Sequence, residues 1–287
     1  EEFAYPGTED NVRALAVDGE TLYVGGEFHL AGGREVGYVA SWDGTTWSDL
    51  EFGMDGPVYA LAVDRNGTLY AGGDFDKAGS EAGHYIAKWD GTTWAGLGEG
   101  MDGPVLALAV GGSGNLYAGG EFTTAGGVSA SHVALWDGST WSGLDGGVDN
   151  SVNALLVEDS VLYAGGVFTH AGGSIAKYIA RLDGSGWSAV GGGTNGTVVA
   201  LEPDGNGHVY AGGSFATAGG TTVDCIAHWN GSSWSALDSG MMGYVYALEG
   251  DGQGGLYAGG SFTQAGGVST NYIASWNGSS WAAVGGG

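Results

Sequence analysis

The stretch LYAGGSFTQAGG at residues 256–267 decides the fold, because close copies of it recur along the chain. The first part of each copy is a tyrosine, one further residue and two glycines. The six tyrosines are Tyr23, Tyr70, Tyr117, Tyr163, Tyr210 and Tyr257, separated by steps of 47, 47, 46, 47 and 47 residues. Repeats with a period of about 40–50 residues are typical of β-propellers and solenoids. The chain is therefore expected to be six copies of one structural unit.

A single repeat contains the pattern of four short strands. In residues 105–147 the segments that read as strands are VLALAV (105–110), LYAGGEF (116–122), HVALW (132–136) and WSGL (141–144). VLALAV places apolar residues on both faces, as in a strand buried on both sides. Asp-Gly turns are typical of tight hairpins, and no segment shows a helical period. The sequence thus predicts an all-β fold, a six-bladed β-propeller with four antiparallel strands in each blade.

The repeat also sets the expected domain boundaries. Residues 1–11 precede the first repeat and are expected to form a tail or an extra strand. Residues 12–287 are expected to form a single propeller domain, with blades at about 12–57, 58–104, 105–151, 152–197, 198–244 and 245–287.

Aromatic residues and glycines at fixed repeat positions are interpreted as architecture. All 11 tryptophans occupy two such positions, which indicates packing between blades rather than separate binding sites. The glycine pairs, such as Gly25 and Gly26, are expected to allow positive φ or a close approach of two backbones. Cys225 stands where other repeats have tyrosine, and it is interpreted as a residue of the core.

The motif has a resemblance among known repeats. A strand ending in Gly-Gly, a following aromatic residue and two tryptophans across a turn resemble kelch repeats. The fuller pattern LYAGGSFTQAGGVSTNYIASWNGSSWAAVGGG (256–287) resembles the repeats of fungal cortical cell-polarity marker proteins and related bacterial surface proteins. This resemblance covers all six repeats, and it implies a propeller with a surface or scaffold role.

Composition restricts the possible partners. The chain has 32 acidic against 7 basic residues, a net charge of −25, which repels nucleic acid and anionic lipid. No apolar run approaches the roughly 20 residues that a membrane span needs, so no membrane insertion is expected. The single cysteine cannot form an intrachain disulfide. Few lysines and abundant Gly, Ser, Thr and Trp favour an extracellular or cell-surface location.

Carboxylates at the end of the second strand and between blades are the candidate ligands of the sequence. If the first strand runs from an upper to a lower face, both groups lie on the upper face. The candidates for binding a cation, Ca²⁺ in particular, or a cationic partner are Glu27, Asp74, Glu121, Asp55, Asp102 and Asp149. The alternative is that these are solvated acidic loops without a ligand.

Other polar motifs indicate turns rather than chemistry. Asp64 with Asn66, and Asp204 with Asn206, resemble the start of a calcium loop but lack its remaining ligands, and they are interpreted as hairpin turns. The histidines share no repeat position, and no His-x-x-x-His or Cys-x-x-Cys pair occurs. Apart from the Ca²⁺ candidates among the carboxylates, we therefore predict no metal site, no cofactor and no catalytic residue.

Two further groups of residues are candidates for modification and assembly. Sequons for N-glycosylation occur at Asn66, Asn195, Asn230 and Asn277, where the same sequences are also favoured in turns. The segment Glu1, Glu2, Phe3, Ala4 and Tyr5 is a candidate for strand addition to another subunit, with a loosely docked tail as the alternative.

Three functions follow from these observations. The first is a non-catalytic structural, assembly or protein-interaction module, self-associating through the N-terminal segment. The second is a carbohydrate-binding propeller that uses aromatics such as Tyr59, Tyr244 and Tyr246. The third is an enzyme with an acidic site on the upper face, for which Glu27 is the residue to test. The first is the prediction, since no catalytic constellation is visible.

Overall fold

The chain is a six-bladed β-propeller, and each blade is a four-stranded antiparallel sheet. The structure, a computed structural model, describes residues 7–285, and no helix occurs among them. The described residues fall into two compact units with three blades each, one ending at Gly147 and the other starting at Val148. The predicted fold class is confirmed, whereas the extent of the single domain and the exact blade boundaries stay predictions.

The first unit contains blades one to three. The strands of blade one are Val12–Asp18, Thr21–Gly26, Val39–Trp42 and Trp47–Asp49. Those of blade two are Val58–Val63, Leu69–Gly73, Ile86–Trp89 and Trp94–Gly96. Those of blade three are Val105–Val110, Leu116–Gly120, Val133–Trp136 and Trp141–Gly143. The strands of each sheet are paired in chain order, so every connection within a blade joins neighbouring antiparallel strands.

The second unit contains blades four to six with the same order. The strands of blade four are Val152–Glu158, Val161–Gly166, Ile179–Asp183 and Gly186–Ala189. Those of blade five are Thr197–Pro203, Val209–Ser214, Ile226–Trp229 and Trp234–Ala236. Those of blade six are Val245–Gly250, Leu256–Gly260, Ile273–Trp276 and Trp281–Ala283.

A small hairpin follows the second strand of every blade, in a segment where the sequence predicts no strand. The six hairpins pair Leu30–Ala31 with Arg34–Glu35, Lys77–Ala78 with Glu81–Ala82, Thr124–Ala125 with Val128–Ser129, His170–Ala171 with Ser174–Ile175, Thr217–Ala218 with Thr221–Thr222, and Gln264–Ala265 with Val268–Ser269. In blade three the turn is Gly126-Gly127, and both residues have positive φ, 55° and 77°. Two-residue hairpin turns require this conformation, which glycine adopts without steric cost. The AGG motif thus encodes a hairpin.

The glycine pair at the end of the second strand serves close packing. Neither Gly165 nor Gly166 has positive φ. A Cβ added to Gly165 would lie 2.6 Å from Cγ1 of Val198 on the next blade. A Cβ added to Gly166 would collide with the carbonyl oxygen of Ser151 in its own blade. Of the two predicted reasons for the pair, the structure supports the close approach.

Tryptophans join neighbouring blades within each unit, as predicted. The two rings of a blade pack against each other with centroids 5.3 Å apart in the pair Trp136–Trp141. The Nε1 of the second tryptophan donates a hydrogen bond to a backbone carbonyl of the preceding blade, for example from Trp141 to Leu97 at 2.8 Å and from Trp234 to Val190 at 3.1 Å. Each such bond satisfies a buried indole and fixes one blade on the next.

Candidate functional site

Each of the three aspartates that precede the first strand of a blade binds the small hairpin of that same blade. The Oδ1 of Asp102 accepts hydrogen bonds from the backbone N–H groups of Thr123 and Thr124, at 2.7 and 2.8 Å. Asp55 and Asp149 make the same pair of bonds in blades two and four. These three candidate ligands therefore satisfy backbone donors of the small hairpins in blades two, three and four.

The same position carries a hairpin-holding side chain in two more blades. Glu9 in blade one accepts from the N–H groups of His29 and Leu30, and Asn195 in blade five accepts from those of Ala216 and Thr217. Because an amide replaces a carboxylate here, the position requires a hydrogen-bond acceptor and no charge. Blade six differs, since Met242 holds its hairpin with backbone bonds to Gln264 and Thr263.

Hydrogen bonding controls the pKa of these aspartates. Burial raises the pKa of Asp102, but hydrogen bonds from Thr123 and Thr124 outweigh burial and hold the pKa below its usual value. Burial also raises the pKa of Asp149, and the bonds from His170 and Thr169 lower it further than burial raises it. Both groups are consequently ionised at neutral pH, and His170 Nδ1 lies 2.8 Å from Asp149 Oδ2.

The carboxylates that follow the glycine pairs gather around one tyrosine. Burial first, and then the charges of Asp74, Glu27 and, more weakly, Glu121, raise the pKa of Tyr59. Glu27 also binds Arg13 through a 2.7 Å ion pair. All three carboxylates thus raise the pKa of the same tyrosine in the first unit. Within residues 7–285 they do not form a cluster whose ligand atoms are close enough to share one metal ion.

The sequon asparagines lie in exposed turns or loops. Asn230 and Asn277 each accept backbone hydrogen bonds from the next two serines of their hairpin, and Asn195 holds the hairpin of blade five. Asn66 is exposed in the turn that Asp64 stabilises. The turn interpretation of these sequences agrees with the structure, and glycosylation stays a prediction. The assembly candidates Glu1–Tyr5 lie outside the described residues.

The second unit contains a groove between blades five and six. Its volume is about 560 Å³, and its lining includes Phe215, Cys225, Met241, Met242 and Tyr244. The corresponding groove between blades four and five has about 400 Å³ and is lined by polar residues such as Thr194 and Asn195. The two grooves share one framework, so their difference arises from side chains.

Three residues of the larger groove depart from the repeat. Cys225 occupies a left-handed position, with φ of 69°, where the other blades have Tyr38, Tyr85, His132, Tyr178 and Tyr272. Met242 replaces the hairpin-holding acceptor and is 64% exposed. Tyr244, 50% exposed, replaces asparagine, proline, serine or threonine. These changes open the groove and make it more apolar than its neighbour.

The environment of the thiol in this groove disfavours its ionisation. Burial raises the pKa of Cys225, and the nearby Asp224 raises it further, whereas a backbone hydrogen bond from Phe215 lowers it only in part. A catalytic cysteine needs the opposite shift, because the thiolate is the reactive species. Cys225 is partly buried and also packs against an apolar cluster formed by residues of blades five and six.

A second cavity lies beside the turns that join the first two strands of blade five and of blade six. It has a volume of about 490 Å³ and is lined by Glu202, Asp204, Tyr210 and the glycine-rich turn from Gly250 to Gly255. Burial raises the pKa of Glu202 to about 7, although the backbone N–H of Gly250 donates to this carboxylate.

Two histidines converge on Asp204 next to this cavity, a grouping that the sequence analysis missed. His208 Nδ1 and His228 Nε2 each lie 3.0 Å from Asp204 Oδ2. His228 lies 20 residues after His208 along the chain, and strand pairing places it opposite Tyr210. The signal in the sequence was weak, because only Asp204 and His208 lie close together along the chain.

The sequence matches a known protein family. Residues 53–201, just over half of the chain, match the model of the family described as the Rax2 C-terminal beta propeller domain. The chain belongs to this family. Among proteins with curated descriptions, none matches the sequence.

Solved structures of similar fold are distant in sequence. The computationally designed protein Ika8 is 18% identical, with a TM-score of 0.60 over 99% of this chain and 76% of Ika8. Virginiamycin B lyase from Staphylococcus aureus is 10% identical, with a TM-score of 0.60 over 96% of this chain and 84% of the lyase. PorZ, a surface component of the type-IX secretion system of Porphyromonas gingivalis, is 16% identical, with a TM-score of 0.57 over 91% of this chain and 40% of PorZ. At these identities the likeness shows the fold alone. The described part of the chain contains no helix that is long and apolar enough to cross a membrane.

Proposed function

We propose that this chain is a non-catalytic propeller outside the cell or at its surface, and that it binds a protein partner in the groove between blades five and six. The carrying observation is that three departures from a six-fold repeat, Cys225, Met242 and Tyr244, line one cavity. Packing alone would keep the repeat residues, which serve the other blades. Changes that converge on one surface are what a binding site requires.

The chemistry of the groove favours a protein segment with an apolar side chain and flanking basic residues. Methionine and tyrosine are enriched in the centres of protein interfaces, where methionine adapts to the shape of the partner. Met242 and Tyr244 offer such a surface, and Asp224 lies at the same groove. The net charge of −25 attracts basic segments over a longer range.

The remaining site residues support a non-catalytic role. Asp55, Asp102 and Asp149 hold hairpins. The raised pKa of Cys225 disfavours a nucleophilic thiol. The resemblance to kelch repeats and to cell-surface repeat proteins fits an interaction module in the same location.

The test is a selection of peptides from a random display library against the full chain. The matched variant returns the groove to the repeat: Cys225→Tyr, Met242→Asp and Tyr244→Ser, each a residue that another blade carries at that position. The control is Ile175→Asp, which changes an exposed apolar residue of blade four outside the groove. We expect peptides with an apolar residue beside Lys or Arg, and an affinity loss of about 30-fold or more in the groove variant only. Peptides that bind both variants equally would refute the proposed site.

A carbohydrate ligand is the second candidate, favoured by the exposure of neighbouring tyrosines in blade six. Tyr244 is 50% and Tyr246 is 59% exposed, and aromatic faces stack on sugars. Glycan-array binding that is lost in Tyr246→Ser and kept in the groove control Ile175→Asp would support this function. An array without signal would remove it.

Self-association through residues 1–5, and cation binding by the upper-face carboxylates, are separate proposals. Light scattering of the full chain and of a chain without residues 1–5 tests the first. We expect particles larger than the 28.8 kDa chain that become smaller after the deletion. Equal masses would exclude assembly through this segment. Particles that dissociate in EDTA would instead indicate a cation-dependent interface.

A further inference from the structure

We propose that Asp204, His208 and His228 form a binding site for a divalent transition-metal ion, with Zn²⁺ as the best fit. The site lies on blade five, at the turn between its first two strands, away from the groove of the proposed function. The three residues are the only group of this kind within residues 7–285.

The ligand atoms lie close to the geometry that zinc needs. Asp204 Oδ2 is 3.0 Å from His208 Nδ1 and 3.0 Å from His228 Nε2, and all three ligand atoms fit within 4.8 Å of one another. Zinc binds nitrogen and oxygen at about 2.0–2.2 Å, so tetrahedral ligands lie a little over 3 Å apart. Two imidazoles and one carboxylate suit zinc, copper or nickel, whereas calcium prefers oxygen ligands.

The carboxylate is fixed before any ion arrives. Its Oδ1 accepts the backbone N–H groups of Asn206 and His208, at 2.8 and 3.1 Å, and leaves Oδ2 directed to the two imidazoles. The side chain of Asp204 is only 9% exposed, and those of His208 and His228 are 34% and 22% exposed. A rigid carboxylate with partly shielded imidazoles costs little to organise around a metal ion.

The repeat framework argues that the two histidines are additions to a structural turn. Asp64 in blade two and Asp251 in blade six hold the same turn through backbone N–H groups, without a histidine partner. The position of His228, opposite the repeat tyrosine, is Ser41, Lys88, Leu135, Arg181 and Ser275 in the other blades. Blade five alone combines the aspartate with two imidazoles, so the fold of the turn does not need them.

The site has room for a further ligand. Asp204 and Tyr210 line the adjacent cavity of about 490 Å³, and the ring of Tyr210 lies 4.7 Å from that of His228. Three protein ligands leave the fourth position of a tetrahedral ion for water or for an oxygen or nitrogen atom of a partner, and the cavity adjoins the ligand Asp204. Hydrogen bonds from both imidazoles to Asp204 without a metal are the competing interpretation.

Calorimetric titration of the EDTA-treated full chain with Zn²⁺ separates the two interpretations. The variants His208→Asn and His228→Ser carry residues that blades three and six have at these positions, so both should fold. The control His170→Gln removes an imidazole that pairs with a single aspartate, Asp149. We expect one tight site per chain, unchanged in the control and weakened by about 100-fold or more in each site variant.

Cobalt provides a second readout that does not depend on affinity alone. Co²⁺ bound to the chain should give the visible absorption of a four-coordinate ion, and each site variant should lose it. Zinc binding that is equal in the native chain and in His228→Ser would overturn the proposal. So would the absence of a stoichiometric site, because surface carboxylates then account for all bound metal.

Discussion

Replacing the second glycine of a pair tests the packing of the blades most severely. In Gly166→Ala the new Cβ would collide with the carbonyl oxygen of Ser151 and lie 3.1 Å from the Cα of Val152. Both neighbours are backbone atoms, so no rotamer change relieves the contact. The first strand must move, and the bond from Val167 N to the Ser151 oxygen, 3.1 Å long, is disturbed. We expect a loss of about 3 kcal/mol or more in the free energy of unfolding.

The first glycine of the same pair should behave differently. In Gly165→Ala the Cβ lies 2.6 Å from Cγ1 of Val198, a side-chain atom of the next blade. We expect the free energy of unfolding to fall by about 1–3 kcal/mol. Val198→Ala removes the obstructing methyl group, so the double variant should lose less stability than the two single changes together, by about 1 kcal/mol. Val198→Ala should not rescue Gly166→Ala.

Gly184→Ala is the matched control in the same blade. Gly184 has no positive φ and no atom within 4 Å of an added Cβ, so its replacement should change stability by less than about 0.5 kcal/mol. Thermal unfolding followed by circular dichroism and tryptophan fluorescence measures the four single and two double variants, and Gly166→Ala should melt about 6 °C or more below the control. The reasoning fails if Gly166→Ala is as stable as Gly184→Ala.

Three further predictions concern the hydrogen bonds that organise the blades. Asp102→Ala should lower the free energy of unfolding by about 1–3 kcal/mol because two backbone donors lose their acceptor. Asp102→Asn should lower it by less than about 1 kcal/mol, because Asn195 performs this role in blade five. Equal urea midpoints for the two variants would contradict this. The lowered pKa values of Asp102 and Asp149 stabilise the fold above their ordinary pKa of about 3.9, and this stabilisation is lost as the pH falls through the folded-state values. Replacing both by asparagine should flatten the decline in melting temperature below about pH 4, and an unchanged decline would assign acid sensitivity elsewhere. Trp234→Phe should lower the free energy of unfolding by about 1–3 kcal/mol because the Val190 carbonyl loses its donor, and a urea titration without a shift would show that the bond adds nothing.

The fold could be predicted because its signals repeat. Alternation in VLALAV, the glycine pair and the tryptophan pair occur once per repeat. In blade three, Val105–Val110 has the predicted bounds, and Val133–Trp136 begins one residue after the predicted start. The small hairpins were missed because two residues per strand are too few to show alternation. Their turn glycines, as at Gly126 and Gly127, were the available signal.

The functional residues were harder to predict because their meaning depends on alignment between blades. Asp55, Asp102 and Asp149 have the composition of a cation site, but comparison with Asn195 shows that the position needs an acceptor of hydrogen bonds. The metal-site candidate needs the pairing of Tyr210 with His228, which no local spacing reveals. The groove was in principle visible, because departures from the repeat can be read by aligning the six copies.

The alkylation rate of Cys225 tests the central claim, partner binding in the groove of blades five and six, most directly. This residue is the single cysteine of the chain and lines that groove, so mass spectrometry reports its modification without interference. A bound peptide from the display selection should slow alkylation by about tenfold or more when the chain is saturated, since it covers the thiol. An unchanged alkylation rate in the saturated complex would place the partner elsewhere and contradict the proposed site.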